Sequence, residues 1–408
     1  MPARAWRLTL AAATLMALVG GGRSAFGLFV SPLNTASGIG LPALSFAVAL
    51  GQLGLGLAQP LIGALVDRVG AARVIVIGAV LLAANTALPT AWPLPWVVAL
   101  SLVASAMAGG AVGSNGLLIG EVNRGVPATR VGLAVGLVGA GTSVGQLLLG
   151  PATQWAIAHR GWAWALAATA VTALLALPLS LPFRRRHPGP AARPAQALAD
   201  VLRDGRFWRV ALSFGVCGFH VGFLGVHMPG VIERCGLPST LAGAWIAVSG
   251  AANIAGSLAI GLALRRYNPA GLLAALYAVR ALSIVALLAL PATPAVMIGF
   301  AVLMGASFMA TLPPTSLLVA RQHGIQRLGT LFGTVMLVHQ VGSFAGIWFG
   351  GWAAMATGND RLLWCVDIAL AFGAMALVWP RGAATRPWPH GSSKDALRVR
   401  SAVPVDVG

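Results

Sequence analysis

Twelve stretches of about 20 apolar residues, each long enough to cross a bilayer as a helix, run through this chain of 408 residues. They fall at roughly 8–30, 42–66, 74–91, 95–120, 130–156 and 161–182, then at 207–231, 239–264, 271–290, 294–319, 328–356 and 362–380. Backbone surrounded by lipid has to satisfy its own hydrogen bonds, which leaves such runs the helix as their form. The expected architecture is an all-α membrane protein of twelve transmembrane helices, in two six-helix bundles at 1–182 and 207–380. A polar, arginine-rich linker (183–206) joins them, and a polar tail (381–408) is expected to be disordered. Apolar residues are 58% of the chain and charged ones 9%, which excludes an ordinary soluble domain.

The net charge of +18 concerns topology. A nucleic-acid binder gathers its basic residues on one polar face; here they sit in short segments between apolar runs, so no nucleic-acid partner is expected. With the N-terminus inside, 22 of the 27 Lys and Arg are internal, three (Arg160, Arg234, Arg361) are external, and Arg23 and Arg280 lie within spans. Positive charge is retained on the cytoplasmic side, so both termini are expected there, at a bacterial inner membrane. Arg4 and Arg7 ahead of the first run resemble a secretory signal. That run continues to about Val30 without a small-x-small cleavage site, so it is expected to stay as the first helix. Cys217, Cys235 and Cys365 fit neither a disulfide framework nor a metal motif. No metal and no cofactor is expected.

The two halves repeat each other. Gly20 to Pro32 contains Arg23, Phe26 and Pro32; 197 residues on stand His220, Phe223 and Pro229. Arg130-Val131-Gly132 with Val144-Gly145 recurs at the same offset as Arg327-Leu328-Gly329 with Val341-Gly342. Gly63 to Arg68 recurs 198 residues on as Gly261 to Arg266. Duplicated bundles with a site near the midplane between them are a transporter design.

At this level the chain resembles the major facilitator superfamily. The segment Gly63 to Val74, GALVDRVGAARV, is similar to that superfamily's loop between spans 2 and 3. The resemblance gives Asp67, Arg68 and Arg73 a gating role, clamping helix ends. Within the superfamily the chain resembles the monocarboxylate transporter group, which has a basic residue followed by Ser in the first span. Arg23-Ser24 with Phe29 matches, and the resemblance implies that Arg23 binds a carboxylate. The group's Asp and Arg in span 8, implicated in proton coupling, have Asn253 and Ser257 at the matching positions, and neither ionises.

Arg23 stands about 22 Å along the first helix at 1.5 Å per residue, and a cation at that depth marks a functional site. Its guanidinium is suited to bidentate contact with a carboxylate. His220 holds the repeat position, and histidine is the side chain type whose charge changes near neutral pH, so it is a candidate for substrate and for the coupling proton. Phe26 and Phe223, one turn beyond each, are candidate substrate contacts. His227 is read as a packing histidine. By resemblance, spans 2, 5, 8 and 11 line the lobe interface, which adds His339 and Gln146 to the candidates, with Asn115 of span 4. Arg280 and Asp367, in spans 9 and 12, are expected to lie outside the cavity as a structural charge pair. Glycines at 132, 136, 141 and 145, and at 342, 346 and 350, are spaced to let helices touch.

These features point to a secondary carrier of a small organic anion, a carboxylate, working by alternating access with possible coupling to protons, and not to an enzyme. The G-x-x-x-x-G-K-[ST] phosphate loop is missing from the sequence, so ATP is not the direct energy source. Three alternatives stay open: a drug or neutral-solute exporter of the same fold, a sensor that binds without transport, and a haem protein using His220 and His339.

Overall fold

A computed structural model describes residues 3–127, 130–184, 201–323 and 328–380. Among them, twelve helices are long and apolar enough to cross a membrane. They are α1 (Ala3–Ser37), α2 (Leu41–Val69), α3 (Ala71–Ala91), α4 (Pro95–Gly125), α5 (Val131–Arg160), α6 (Trp162–Leu179), α7 (Gly205–Arg234), α8 (Thr240–Ala263), α9 (Pro269–Ala289), α10 (Pro294–His323), α11 (Leu331–Thr357) and α12 (Arg361–Val378). The chain is thus an integral, multi-pass membrane protein. Most of the expected linker (185–200) and the tail from 381 lie outside the described residues.

Local chemistry sets the helix ends. Proline opens α4, α9 and α10, where its missing N–H costs nothing and its fixed φ suits the first turn. Asn268 Oδ1 accepts from the Ala270 N–H at 2.8 Å, satisfying one of the free donors at the start of α9. The turn from α2 to α3 passes through Gly70 at φ 91°, a left-handed conformation that glycine adopts without steric cost. Asp67, Arg68 and Arg73 flank this turn and are exposed. Among the described residues, neither Asp67 nor Arg73 makes an ion pair.

The repeat appears as shared breaks and shared contacts. α4 is interrupted at Ser114, whose Oγ accepts from the Leu117 N–H, and α10 at the 3-10 turn Met309–Thr311. Ser114 and Thr311 are 197 residues apart. α1 packs along α5 and α7 along α11, backbone against backbone. A Cβ on Gly21 would overlap the Gly145 backbone, and one on Gly218 would overlap the His339 carbonyl. Gly342 is equally tight against the Gly215 carbonyl. Of the α5 glycines, Gly141 and Gly145 press on α1, whereas Gly132 and Gly136 meet nothing within 4 Å.

The two lobes touch through α5 on α8 and α2 on α11. These contacts run from the middle of the helices, where Gly56 meets Gln340 and Gly250 meets Ser143, through the halves farther from the linker: Gly150 against Ile246, Gly351 against Ser45, and Gly27 of α1 against the Gly225 carbonyl of α7. Toward the linker end, Gly63, Gly136 and Gly333 meet nothing within 4 Å, and the lobes part.

This packing separates two kinds of glycine. Gly342→Ala gains up to about 1 kcal/mol of helix propensity but forces helices apart at roughly 1–3 kcal/mol, so a lower melting temperature of the purified protein is expected. Gly136→Ala, with propensity alone changed, should hold or raise it. Equal shifts for the two would contradict the close approach of α7 and α11.

Candidate functional site

A cavity of about 790 Å³ lies where the lobes face each other. α1 supplies Arg23, Ser24 and Phe26 to its wall, α4 supplies Asn115, α5 supplies Gln146, and α11 supplies His339. Among the described residues that line it, Arg23 alone carries a full formal charge. The side chain is exposed within this cavity and makes no ion pair with any described residue. An isolated charge in a low-dielectric wall is costly unless something pairs with it. A guanidinium placed in this way can accept an anionic partner through two parallel N–H bonds.

The backbone around Arg23 is held firmly. Gly20 meets the Thr142 side chain and Gly21 the Gly145 backbone, so α1 has little freedom to slide on α5. One turn carries a second tie: Gln146 Nε2 donates to Ser24 Oγ at 2.9 Å, and Ser24 Oγ donates to the Gly20 carbonyl at 3.0 Å. Gln146 Oε1 has no hydrogen-bond partner.

Across the cavity the wall is neutral and polar. His339 stacks obliquely on Phe214 with ring centroids 4.8 Å apart, and its buried Nδ1 has no hydrogen-bond partner among the described residues. Asn253 donates from Nδ2 to Ser143 Oγ at 3.0 Å and accepts the Met309 N–H at 2.9 Å. That one amide ties α8 to the opposite lobe and to the break in α10. In the sequence Asn253 stands out only as a neutral residue where the resembled group has an acid. Asn85 and Thr86 of α3 and Thr169 of α6 also line the cavity. Their signal was present as isolated polar residues inside apolar runs.

Two expected cavity residues lie elsewhere. His220 and Phe223 are buried inside the second lobe, where Phe223 packs edge-on against Trp364 with centroids 5.0 Å apart. The physical reason is what stands beside α7. Arg280 and Asp367 correspond, at the offset of 197, to Ala83 and Ala170. In the first lobe small residues leave room for the cavity to reach α3 and α6. In the second lobe the bulky pair fills that room, and no residue of α9 or α12 lines the cavity. His220 and His339 therefore do not share a chamber, and the haem arrangement is not formed. His227 Nε2–H donates to the Ile347 carbonyl at 2.8 Å, as a packing histidine does.

The expected charge pair is a triad, not a direct contact. His220 stands between the partners, with Nδ1 3.4 Å from Arg280 Nη1 and Nε2 3.0 Å from Asp367 Oδ1. The latter approach is off the line of a hydrogen bond; Nε2–H is also 3.3 Å from the Asp367 main-chain oxygen. Arg280 donates from Nε to Ser307 Oγ at 3.0 Å and from Nη2 to the Ser307 carbonyl at 2.7 Å. Its guanidinium also lies 5.5 Å from the ring centres of Tyr277 and Phe308. Depth along each helix predicted that the charges could meet. The ring of His220, on a third helix, occupies the gap.

Comparisons with known proteins agree with this geometry. Residues 12–347 match the family model described as Major Facilitator Superfamily. The chain is 26% identical over 349 residues to an uncharacterized MFS-type transporter, YcxA, of Bacillus subtilis, covering 81% of this chain and 83% of the relative. Among solved structures, the nucleoside transporter NupG superposes with a TM-score of 0.75 at 13% identity, over 93% of this chain and 100% of that one. The inward-open xylose transporter XylE from E. coli gives 0.72 at 17% identity, over 97% and 99%. At these identities the structural likeness concerns the fold alone.

The triad yields a stability test. Asp367→Ala strands buried positive charge and is expected to cost about 3–5 kcal/mol, read as loss of folded yield and melting temperature in detergent. Joining Arg280→Met to Asp367→Leu removes both charges and should recover much of that loss. Strictly additive losses would show that the two residues act independently.

Proposed function

Because the chain belongs to the Major Facilitator Superfamily, a family of membrane transporters, we propose that it is a secondary carrier of a small organic anion, a carboxylate, working by alternating access. The observation that carries the substrate class is Arg23: a lone guanidinium on the cavity wall with no acidic partner among the described residues. A carboxylate supplies the missing charge and accepts two parallel N–H bonds from the planar fork. Asn115, Gln146 and the ring of Phe26 share the same wall and are assigned to contacts with the rest of the substrate.

The resting geometry is read as open to the cytoplasm. Lobes joined along their far halves and parted toward the linker support it, as do the 22 basic residues on the linker side. Closing that end would bring the unoccupied faces around Gly136 and Gly333 against the opposite lobe, and opening the far end would break the contacts of Gly27, Gly150 and Gly351. Rocking of two bundles around a fixed site has this form. An inner bacterial membrane with both termini cytoplasmic follows from the same reading.

The coupling proton is assigned to His339. His339 lines the cavity, its Nδ1 is buried with no hydrogen-bond partner among the described residues, and histidine is the side chain whose ordinary protonation change falls near neutral pH. His220 is a poorer carrier in this geometry. Its Nδ1 faces a guanidinium N–H donor, so a proton there would set two donors against each other.

Two experiments test the reading. Arg23→Gln is expected to weaken uptake of a transported carboxylate in proteoliposomes by about 30-fold or more, the cost of removing one partner of a desolvated charge pair (~2 kcal/mol or above), with normal membrane insertion. Unchanged counterflow would instead favour a neutral-solute carrier, and binding without flux a sensor. His339→Gln should abolish accumulation driven by a pH gradient while sparing counterflow. Gradient-driven accumulation at the wild-type level would remove the histidine from coupling.

A further inference from the structure

A second groove, of about 670 Å³, opens at the linker end between the start of α1 and the end of α6. Arg4 and Arg7 come to it from one turn of α1, and Arg184 from the 3-10 turn that follows α6. All three are exposed, and among the described residues none of them makes an ion pair. Among the described residues that line the groove, none is acidic. Below the arginines its wall is apolar and includes Leu10 and Leu181, which are 54% and 50% exposed.

The duplicated lobe shows what this notch looks like when the chain covers it. At the offset of 197, Leu10 corresponds to Phe207 and Leu181 to Val378. Those two are 0% and 6% exposed and belong to one buried cluster with Val201. There the segment just before α7 folds over the notch, fastened by Trp208 Nε1 donating to the Leu202 carbonyl at 2.7 Å. The arginine positions differ as well: Arg4 corresponds to Val201 and Arg7 to Asp204. One copy of the notch is thus sealed with its own apolar residues, and the other, among the described residues, is left open, apolar in its depth and rimmed by three guanidiniums.

We propose that the open notch between α1 and α6 binds an acidic phospholipid, its phosphate held by Arg4, Arg7 and Arg184 and an acyl chain lying over Leu10 and Leu181. Guanidinium is the side chain best matched to phosphate oxygens. A basic pocket between helices at the membrane surface suits an anionic headgroup. The apolar wall continues from the charged rim down the lipid-facing side of α1, which a free phosphate would leave uncovered and a lipid tail would cover. This site is separate from the Arg23 cavity and does not depend on what that cavity carries.

The test uses the full chain purified in a neutral detergent. Native mass spectrometry is expected to show phosphatidylglycerol or cardiolipin retained in preference to phosphatidylcholine. Each arginine near an anionic surface is worth about fivefold in binding. A triple variant, Arg4→Gln with Arg7→Gln and Arg184→Gln, should therefore lose affinity by roughly 100-fold. A control, Arg265→Gln with Arg266→Gln, changes exposed arginines at the linker end of α8 and should bind as the wild type does. Should the triple variant fold poorly, the wild type alone decides: phosphatidylglycerol should raise its melting temperature, and phosphatidylcholine or inorganic phosphate should not. Equal retention of phosphatidylcholine, undiminished binding by a folded triple variant, equal loss in the control, or stabilisation by inorganic phosphate matching that of the lipid would each overturn the assignment.

Discussion

Backbone-to-backbone contact between paired helices is the constraint on which the other features rest. Lipid tails are as apolar as leucine, so helices in a bilayer gain little from burying side chains and much from close packing. Here α1 meets α5 at Gly21 and Gly145, and α7 meets α11 at Gly218 and Gly342. The two contacts are copies of one another at an offset of 197. A crossing this tight fixes rotation about the helix axis as well as distance, and rotation decides which residues face a cavity. Arg23 follows Gly21 by two positions, so the contact that holds the lobe together also aims the guanidinium.

The same crossing leads to opposite electrostatic outcomes in the two lobes. In the second, a buried arginine is neutralised internally: Arg280 is engaged by Ser307, by the His220 ring and, through that ring, by Asp367. A charge so surrounded contributes to one rigid arrangement and offers nothing to a ligand. In the first lobe the equivalents of Arg280 and Asp367 are Ala83 and Ala170, and the cation at the repeat position stays unpaired beside open space. Exposed in the cavity and not enclosed by packing, that guanidinium needs no internal partner and keeps its N–H fork available for contact.

Duplication thus supplies a symmetric scaffold, and a few side chains make its lobes unequal. The first lobe holds the charge and lets the cavity extend toward Asn85, Thr86 and Thr169; the second presents neutral polar groups, His339 and Asn253. Inequality recurs at the linker end, where one notch is sealed by Phe207 and Val378 and its counterpart is open beside Leu10 and Leu181. Between the lobes, close contacts such as Gly351 on Ser45 sit beside aromatic ones, Phe46 with Phe344 and Trp348 at ring-centroid distances of 6.0 and 5.9 Å, so parting the far halves uncovers apolar surface.

Much of this was legible in the chain before any coordinates. Apolar length alone located the spans, for example 42–66 against the observed Leu41–Val69 and 294–319 against Pro294–His323, because lipid leaves an apolar run few alternatives to helix. The repeat offset found Arg23, and helical rise placed it deep in the membrane. Linear reasoning failed where rotation and neighbours mattered. His220 has the same helix position as Arg23, yet it faces inward, because the residues on α9 and α12 that fill the space beside it lie 60 and 147 positions away. The direct Arg280–Asp367 pair was wrong for the same reason: depth along two helices says nothing of a third side chain between them. Sequence by itself determined that this protein crosses the membrane twelve times, that its halves are related, and that a cation lies within the first helix, since each is a property of local composition and order. Tertiary structure decided which of the repeated positions sees a cavity and which is buried, since that depends on how much room distant small or bulky residues leave when the helices come together.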